Sequence, residues 1–422
     1  MRKLLMAAFM LGVLTMSSYA RALAQTAPAT AASPSPAPSP TATPTPPWTF
    51  SGFADITYTK PIPSGGTLLF TNGAPARVFD GITGINTKSP EETSFVFNNL
   101  NVNVRKNTSN GLGGQFEASL GSDANVIASY GGSANTYTDI TQAYLYYAAG
   151  QFTLNAGKYE TLAGYEVIES PSDNQISRSI LFGFAVPFTH TGARLVWAPS
   201  AKISVTGGVN YGWDQIISTQ GLNTIEGGVT WNPSSILSFS GDVYSGKEPS
   251  VLTPYPTGGT IAPPPGPATI YGQRTLLDLV MHYNPTSLWN FGLNGDIAQQ
   301  FNDQFFNSAG AIVTNGVGVP LQGTARWSGI AGYAVYNVSS LFTLSARLET
   351  FNDQNGVRTG IAQTWNEGTV TVQYAPNGNM KFRLEGRGDW SNVPSFARYT
   401  SPLGTSSNNN ETIGAEAIFS WP

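Results

Sequence analysis

Between Met380 and Trp390 the chain alternates between two kinds of residue. Lys381, Arg383, Glu385, Arg387 and Asp389 are charged, while Met380, Phe382, Leu384, Gly386, Gly388 and Trp390 are apolar or glycine. Only an extended strand sends successive side chains to opposite faces, so this period of two makes one face of a sheet apolar and the other charged. The pattern returns at Phe342, Leu344, Ala346 and Leu348 against Thr343, Ser345, Arg347 and Glu349. It returns again at Trp289, Phe291 and Leu293 against Asn290, Asn294 and Asp296, and at Ile203, Val205, Val209 and Tyr211 against Lys202, Ser204, Thr206 and Asn210. In a soluble sandwich the apolar faces would meet a core. In a membrane barrel they meet lipid and the polar faces line a wet lumen.

The connections separate these two folds. Trp197-Ala-Pro-Ser, Trp231-Asn-Pro-Ser, Tyr283-Asn-Pro-Thr, Tyr336-Asn-Val-Ser and Tyr374-Ala-Pro-Asn each put an aromatic residue just before a tight turn. Tyr147 before Ala148-Ala149-Gly150, and the stretch from Asn107 to Gly111, bring the turns to seven. Between them lies room for a strand, a long loop and a returning strand, with Gly246 to Gly272 and Ser391 to Asn410 reading as two such loops. Short turns at one end and long loops at the other are the asymmetry of an outer-membrane barrel. Two strands per turn and one at each end predict an all-β, antiparallel up-and-down barrel of about 16 strands. The rings of Tyr147, Trp197, Trp231, Tyr283, Tyr336, Tyr374 and Trp421 then form a periplasmic girdle at the lipid headgroups.

The remaining composition fits an exported chain. Arg2 and Lys3 precede an apolar run to about Tyr19 and the triplet Ala22-Leu23-Ala24, so residues 1–24 read as a signal peptide. Residues 25–47 hold almost only Thr, Ala, Pro and Ser and read as a flexible linker, leaving 48–422 for the barrel. Removing Arg2, Lys3 and Arg21 takes the formal charge from -4 to about -7, which argues against a nucleic-acid partner. With no cysteine, the chain carries neither a lipidated N-terminal cysteine nor a thiolate metal site. No zinc, EF-hand or phosphate-loop spacing appears, so no metal or cofactor is expected. His190 and His282 lack a nucleophile motif around them, and a channel rather than an enzyme is expected.

Two sets of charges are candidates for the pore. The third long loop, from Tyr159 to Thr189, carries Glu160, Glu166, Glu169, Asp173 and Arg178 beside Lys158. These residues either constrict the pore, where confined charge acts strongly on an ion, or pair among themselves and hold the loop in shape. Arg347, Glu349, Lys381, Arg383, Glu385, Arg387 and Asp389 read as a solvated, salt-bridged lumen wall. Other inward candidates are Arg105 and Arg194 against Glu117, Glu226, Asp242, Asp278, Asp296 and Glu367.

Gly157-Lys-Tyr-Glu, Gly164-Tyr-Glu-Val-Ile, Ser177-Arg-Ser-Ile-Leu-Phe-Gly and Val186-Pro-Phe-Thr-His-Thr-Gly192 resemble the β-barrel porin family described as OmpL-like, with a weaker similarity to phosphate-selective porins. The motif match covers Gly157 to Gly192, and the rest of the barrel agrees in pattern. The resemblance implies a diffusion channel in the bacterial outer membrane for small hydrophilic solutes or ions, with no catalytic residues to transfer. A substrate-specific anion or sugar channel and a plugged structural or adhesin barrel are the alternatives. Outer-membrane lipid and the barrel-assembly machinery are the expected partners, the latter because Ile413, Ala415, Ala417, Phe419 and Trp421 form a terminal apolar face resembling its signal. A homotrimer is expected by analogy with barrels of this size.

Overall fold

The structure is a computed structural model that describes residues 48–62, 66–68, 94–129, 131, 136–218, 221, 223–249, 271–305, 313–314, 321–398 and 405–422. The signal peptide and linker expected before Trp48, and most of the loop expected after Gly246, lie outside the described residues.

Sixteen strands close into one barrel. They are β1 (Trp48–Pro61), β2 (Ser94–Lys106), β3 (Gly111–Leu120), β4 (Thr138–Ala149), β5 (Phe152–Glu160), β6 (Thr189–Ser200), β7 (Ile203–Asn210) and β8 (Thr224–Ser234). Then follow β9 (Leu237–Pro249), β10 (Tyr271–Tyr283), β11 (Trp289–Gln304), β12 (Gln322–Asn337), β13 (Phe342–Asp353), β14 (Gln363–Asn377), β15 (Met380–Ser391) and β16 (Asn409–Trp421). Each strand is antiparallel to its chain neighbours, and β16 returns to β1 from Gly52↔Trp421 to Pro61↔Thr412. Closure leaves no strand edge, which is what lets a sheet cross hydrocarbon.

All seven expected turns join consecutive strands, and the long connections lie at the other end. Some strands outrun the expected loop boundaries: Gly246 to Pro249 pairs with Tyr271 to Arg274, and Asn409 and Asn410 belong to β16. Tyr211 lies beyond β7, in the loop. The ladder thus continues past the stretch that alternation marks, because charged pairs above the membrane no longer need an apolar face. A helix, α1 (Ser122–Ile127), sits in the second long connection. Segments Gly66–Leu68, Phe396–Arg398 and Thr405–Ser407, from the first and last long connections, form a small separate sheet.

The two faces behave as alternation requires. Leu384 is 63% exposed and Leu348 52%, whereas the neighbouring Arg383 and Arg347 are buried. Ile418, the one break in the pattern of β16, does point inward and is buried opposite Asp55. At the turn end the outer rings stack across strands: Phe152 on Trp197, Trp231 on Phe239, Tyr283 on Phe291, Trp289 on Tyr336, and Phe342 on Tyr374 at 5.0 Å. Exposed apolar side chains around the whole barrel suit lipid, where their burial stabilises the assembled state.

Candidate functional site

The third long connection, Thr161 to Phe188, does not stand above the barrel but lies inside it. A chain entering a lumen must find partners for its backbone groups, and the inward side chains of half the barrel supply them. Gly164 N–H donates to Asp278 at 3.1 Å on β10, and Tyr165 N–H to Asn294 at 3.3 Å on β11. Glu385 accepts from the N–H groups of Ile176 (2.6 Å) and Ser177 (3.0 Å), and Glu349 from those of Ile180 (2.6 Å) and Leu181 (3.1 Å). The cations take the carbonyls. Arg383 binds those of Ser170, Asp173 and Gln175, Arg387 that of Arg178 at 2.8 Å, and Lys381 that of Pro171.

The wall from Lys381 to Asp389 is therefore covered by the loop rather than solvated. A loop with this many unpaired carbonyls and N–H groups draws the charges that water would otherwise hold.

Arg347 is the centre of this arrangement. It is fully buried, with Glu367 at 2.8 Å, Glu166 at 2.7 Å and the carbonyl of Ser177 at 2.8 Å. Arg178 closes the loop on itself through the carbonyls of Val167 and Ile168 and an ion pair to Asp173 at 2.9 Å. Of the six charges expected at a constriction, Glu166, Asp173 and Arg178 are thus engaged in holding the loop, and Lys158 pairs with Asp139 at 2.9 Å.

The second half of the loop is apolar. Ile180, Leu181, Phe182, Phe184, Val186 and Phe188 pack on inward-facing Tyr244, Trp327, Phe351 and Trp365. Trp327 also donates to the carbonyl of Ala185 at 3.1 Å. Tyr165 lies between His282 and Tyr333, with ring centroids 4.7 and 4.1 Å away. Two inward glycines make room for it: a Cβ at Gly292 would lie 2.2 Å from the Tyr165 ring, and one at Gly329 2.7 Å from Leu181. This apolar contact escapes alternation, because inward Trp and Phe interrupt a polar face without changing its period. The glycines on that face were the signal that something approaches it closely. His190, as its isolated place in the sequence suggests, is packed structurally: it stacks on Tyr244 and its Nδ1 contacts the carbonyl of Gly212 at 3.0 Å.

The remaining two carboxylates, Glu160, which ends β5 rather than lying in the loop, and Glu169 of the loop, converge with Glu117 of β3, their oxygens within 4.8 Å of one another. Amides surround them. Asn101, Asn103, Gln115 and Gln142 donate to Glu117 at 2.7 to 3.2 Å, and Gln142 also donates to Glu160 at 2.9 Å. Nearby, Arg194 is drawn away to Glu226 at 2.7 Å and over the ring of Tyr159. Toward the turn end of this wall, Asn103, Gln115, Tyr144 and Asn155 stay half-buried and Arg105 is exposed, as is Ser172 at the loop tip. Across all described residues the buried charges are eighteen Asp or Glu against eight Lys or Arg.

A closed antiparallel barrel of sixteen strands with a lipid-facing belt, aromatic rings at the turn end and a loop folded into its polar lumen is an outer-membrane porin. The family model described as "Putative beta-barrel porin-2, OmpL-like" matches residues 68–421, and the chain belongs to that family. No curated protein matches it. Among solved structures it is similar to the outer membrane channel DcaP of Acinetobacter baumannii, at 12% identity and a TM-score of 0.56, covering 89% of this chain and 97% of that one. OmpT, an outer membrane protein of Vibrio cholerae, gives 10% identity and a TM-score of 0.52 over 89% and 97%. An anion-selective porin from Comamonas acidovorans gives 11% and 0.52 over 89% and 99%. At these identities the likeness is one of fold. The protein is a channel of the bacterial outer membrane.

Proposed function

We propose that solutes cross through the part of the lumen that the third loop leaves beside β2 to β5, and that Glu117, Glu160 and Glu169 make this passage prefer small cations. What supports the reading is the convergence of three carboxylates, two of which accept from amides and none of which pairs with a cation among the described residues, opposite a wall whose arginines are all engaged. Fixed charge in a narrow, poorly polarisable passage raises the local concentration of the opposite ion. The anion selectivity of the Comamonas porin does not transfer, since the lumen residues decide it.

The experiment is a planar-bilayer recording in a salt gradient. Wild type is expected to show a cation-selective reversal potential, and the double variant Glu160→Gln with Glu169→Gln a shift toward anions. Burial, then the neighbouring Glu160, hold the Glu169 carboxyl well above the usual carboxylate range. Protonation removes negative charge, so cation preference should fall as pH drops, at a higher pH than an exposed carboxylate at ~4.3 would give. Three acids added to the eighth long loop serve as control. A reversal potential indifferent to both the Gln pair and pH, in a correctly assembled barrel, would reject the reading.

A further inference from the structure

Away from this passage, at the closure of the barrel, acceptor oxygens gather without donors. Asp55 on the inner face of β1 is fully buried, and neither of its carboxylate oxygens accepts a hydrogen bond. Directly opposite on β2 stands Asn99, equally buried. Its Nδ2 donates to Ser119 at 3.3 Å, which turns Oδ1 the other way, without a donor. On the other side, one step along the ladder, Glu416 of β16 gives one oxygen to Arg383 at 2.9 Å and leaves Oε1 without a donor.

The strands are shaped to bring these groups together. The register of β1 with β2 shifts between Asp55 and Ile56, so Asn98 is an extra residue and both Asn98 and Asn99 are buried. Asn98 is satisfied by Thr57 at 3.0 Å, so the shift leaves Asn99 to face Asp55. From the second connection Asp123 of α1 faces Asp55, and from the third loop the Ser170 hydroxyl lies near it but outside hydrogen-bond geometry. The cation facing Asp55 is Arg383, already committed to Glu416 and to three loop carbonyls.

Buried carboxylates are kept charged only when paired with a cation or metal. A proton on Asp55 would supply one donor to a set of four acceptor oxygens, whereas a hard cation satisfies several at once. Mixed carboxylate and amide oxygens carried on three separate strands suit calcium, which takes six to eight oxygen ligands in flexible geometry, better than magnesium, which demands a near-ideal octahedron. We propose that Asp55, Asn99 and Glu416 bind one calcium ion. Bound there, it ties together the three strands that close the barrel. The site is independent of the ion preference of the passage.

The test uses the folded full chain in detergent, freed of metal with EDTA and titrated calorimetrically with CaCl2 and, separately, MgCl2. One saturable calcium site per chain is expected, tighter than for magnesium, with a thermal unfolding midpoint that rises with CaCl2. Asp55→Asn should weaken binding at least about tenfold, since ligand charge sets calcium affinity. Asn99→Leu, which keeps size and removes Oδ1, should also weaken it and decides the matter should Asp55→Asn not fold. Leu293→Val, on the outward face of β11 and away from both carboxylate clusters, should bind as wild type does. Absence of saturable calcium binding by the folded wild type, or binding by the folded Asp55→Asn and Asn99→Leu variants as tight as that of wild type, overturns the proposal. So does a gain in stability of Asp55→Asn over a calcium-indifferent wild type, which would mean that Asp55 holds a proton.

Discussion

At the scale of single residues, Arg347 carries the most. Its guanidinium joins three elements: β13, on which it sits; β14, through Glu367; and the third loop, through Glu166 and the Ser177 and Arg178 carbonyls. The planar fork is what permits this, and a lysine ammonium in its place could not reach all of them. Removing one partner of a buried ion pair costs roughly 3 to 5 kcal/mol, because the charges left behind stay buried without compensation. Arg347→Ala is therefore expected to release the third loop while the outer girdle and strand ladder persist. Single-channel conductance should rise and protease added to folded protein should cut between Thr161 and Phe188. An unchanged conductance and an intact loop would show that the apolar contacts of Leu181, Phe184 and Val186 hold it without the arginine.

At the scale of elements, the argument rests on which face of each strand meets lipid. Leu348, central in β13, faces outward and Thr343, near the turn, faces the lumen half-buried. Arginine on the lipid face near the midplane costs about 2 to 4 kcal/mol, so Leu348→Arg should lower the yield of assembled barrel. Thr343→Arg should assemble and alter conduction alone, and equal damage from both would put the face assignment in error. That assignment could be read from residues such as Met380 to Trp390 because a lipid belt and a polar lumen leave a period of two in the sequence. The path of the third loop could not. Nothing periodic marks a loop that is held by Glu349 and Glu385 on distant strands, and the charges from Glu166 to Arg178 look the same whether they face a solute or each other. The orphaned Asp55 does alternate with Ala54 and Ile56 and so is legible as inward-facing, but its lack of donors depends on the bulge at Asn98 of β2.

At the scale of the whole molecule, stability depends on joining the first strand to the last. Ten residue pairs link β1 with β16, and the final one sets Gly52 against Trp421. There the Trp421 ring lies over the glycine: a Cβ at Gly52 would stand 2.4 Å from it. The same ring stands 6.3 Å from that of Phe419, at the turn end where the other girdle rings lie. Trp421 therefore stands both at the seam and beside the other turn-end rings, and recognition by a barrel-assembly machinery, if it reads this terminal strand, would act on the same side chain. A closed ladder resists detergent until it is heated, which makes closure measurable as a change in gel migration on boiling. Trp421→Ala should leave the strands intact but lower the fraction of chain that migrates as folded barrel, and lower the temperature at which that form is lost. Gly52→Ala should do more from the opposite strand, since its Cβ would meet the Asn101 carbonyl oxygen at 2.1 Å as well as the ring; the double variant relieves only the ring clash, so it should be less damaged than the two losses added yet worse than Trp421→Ala alone. Fully additive losses would mean that the two residues act separately, and that the seam is held by the backbone ladder alone.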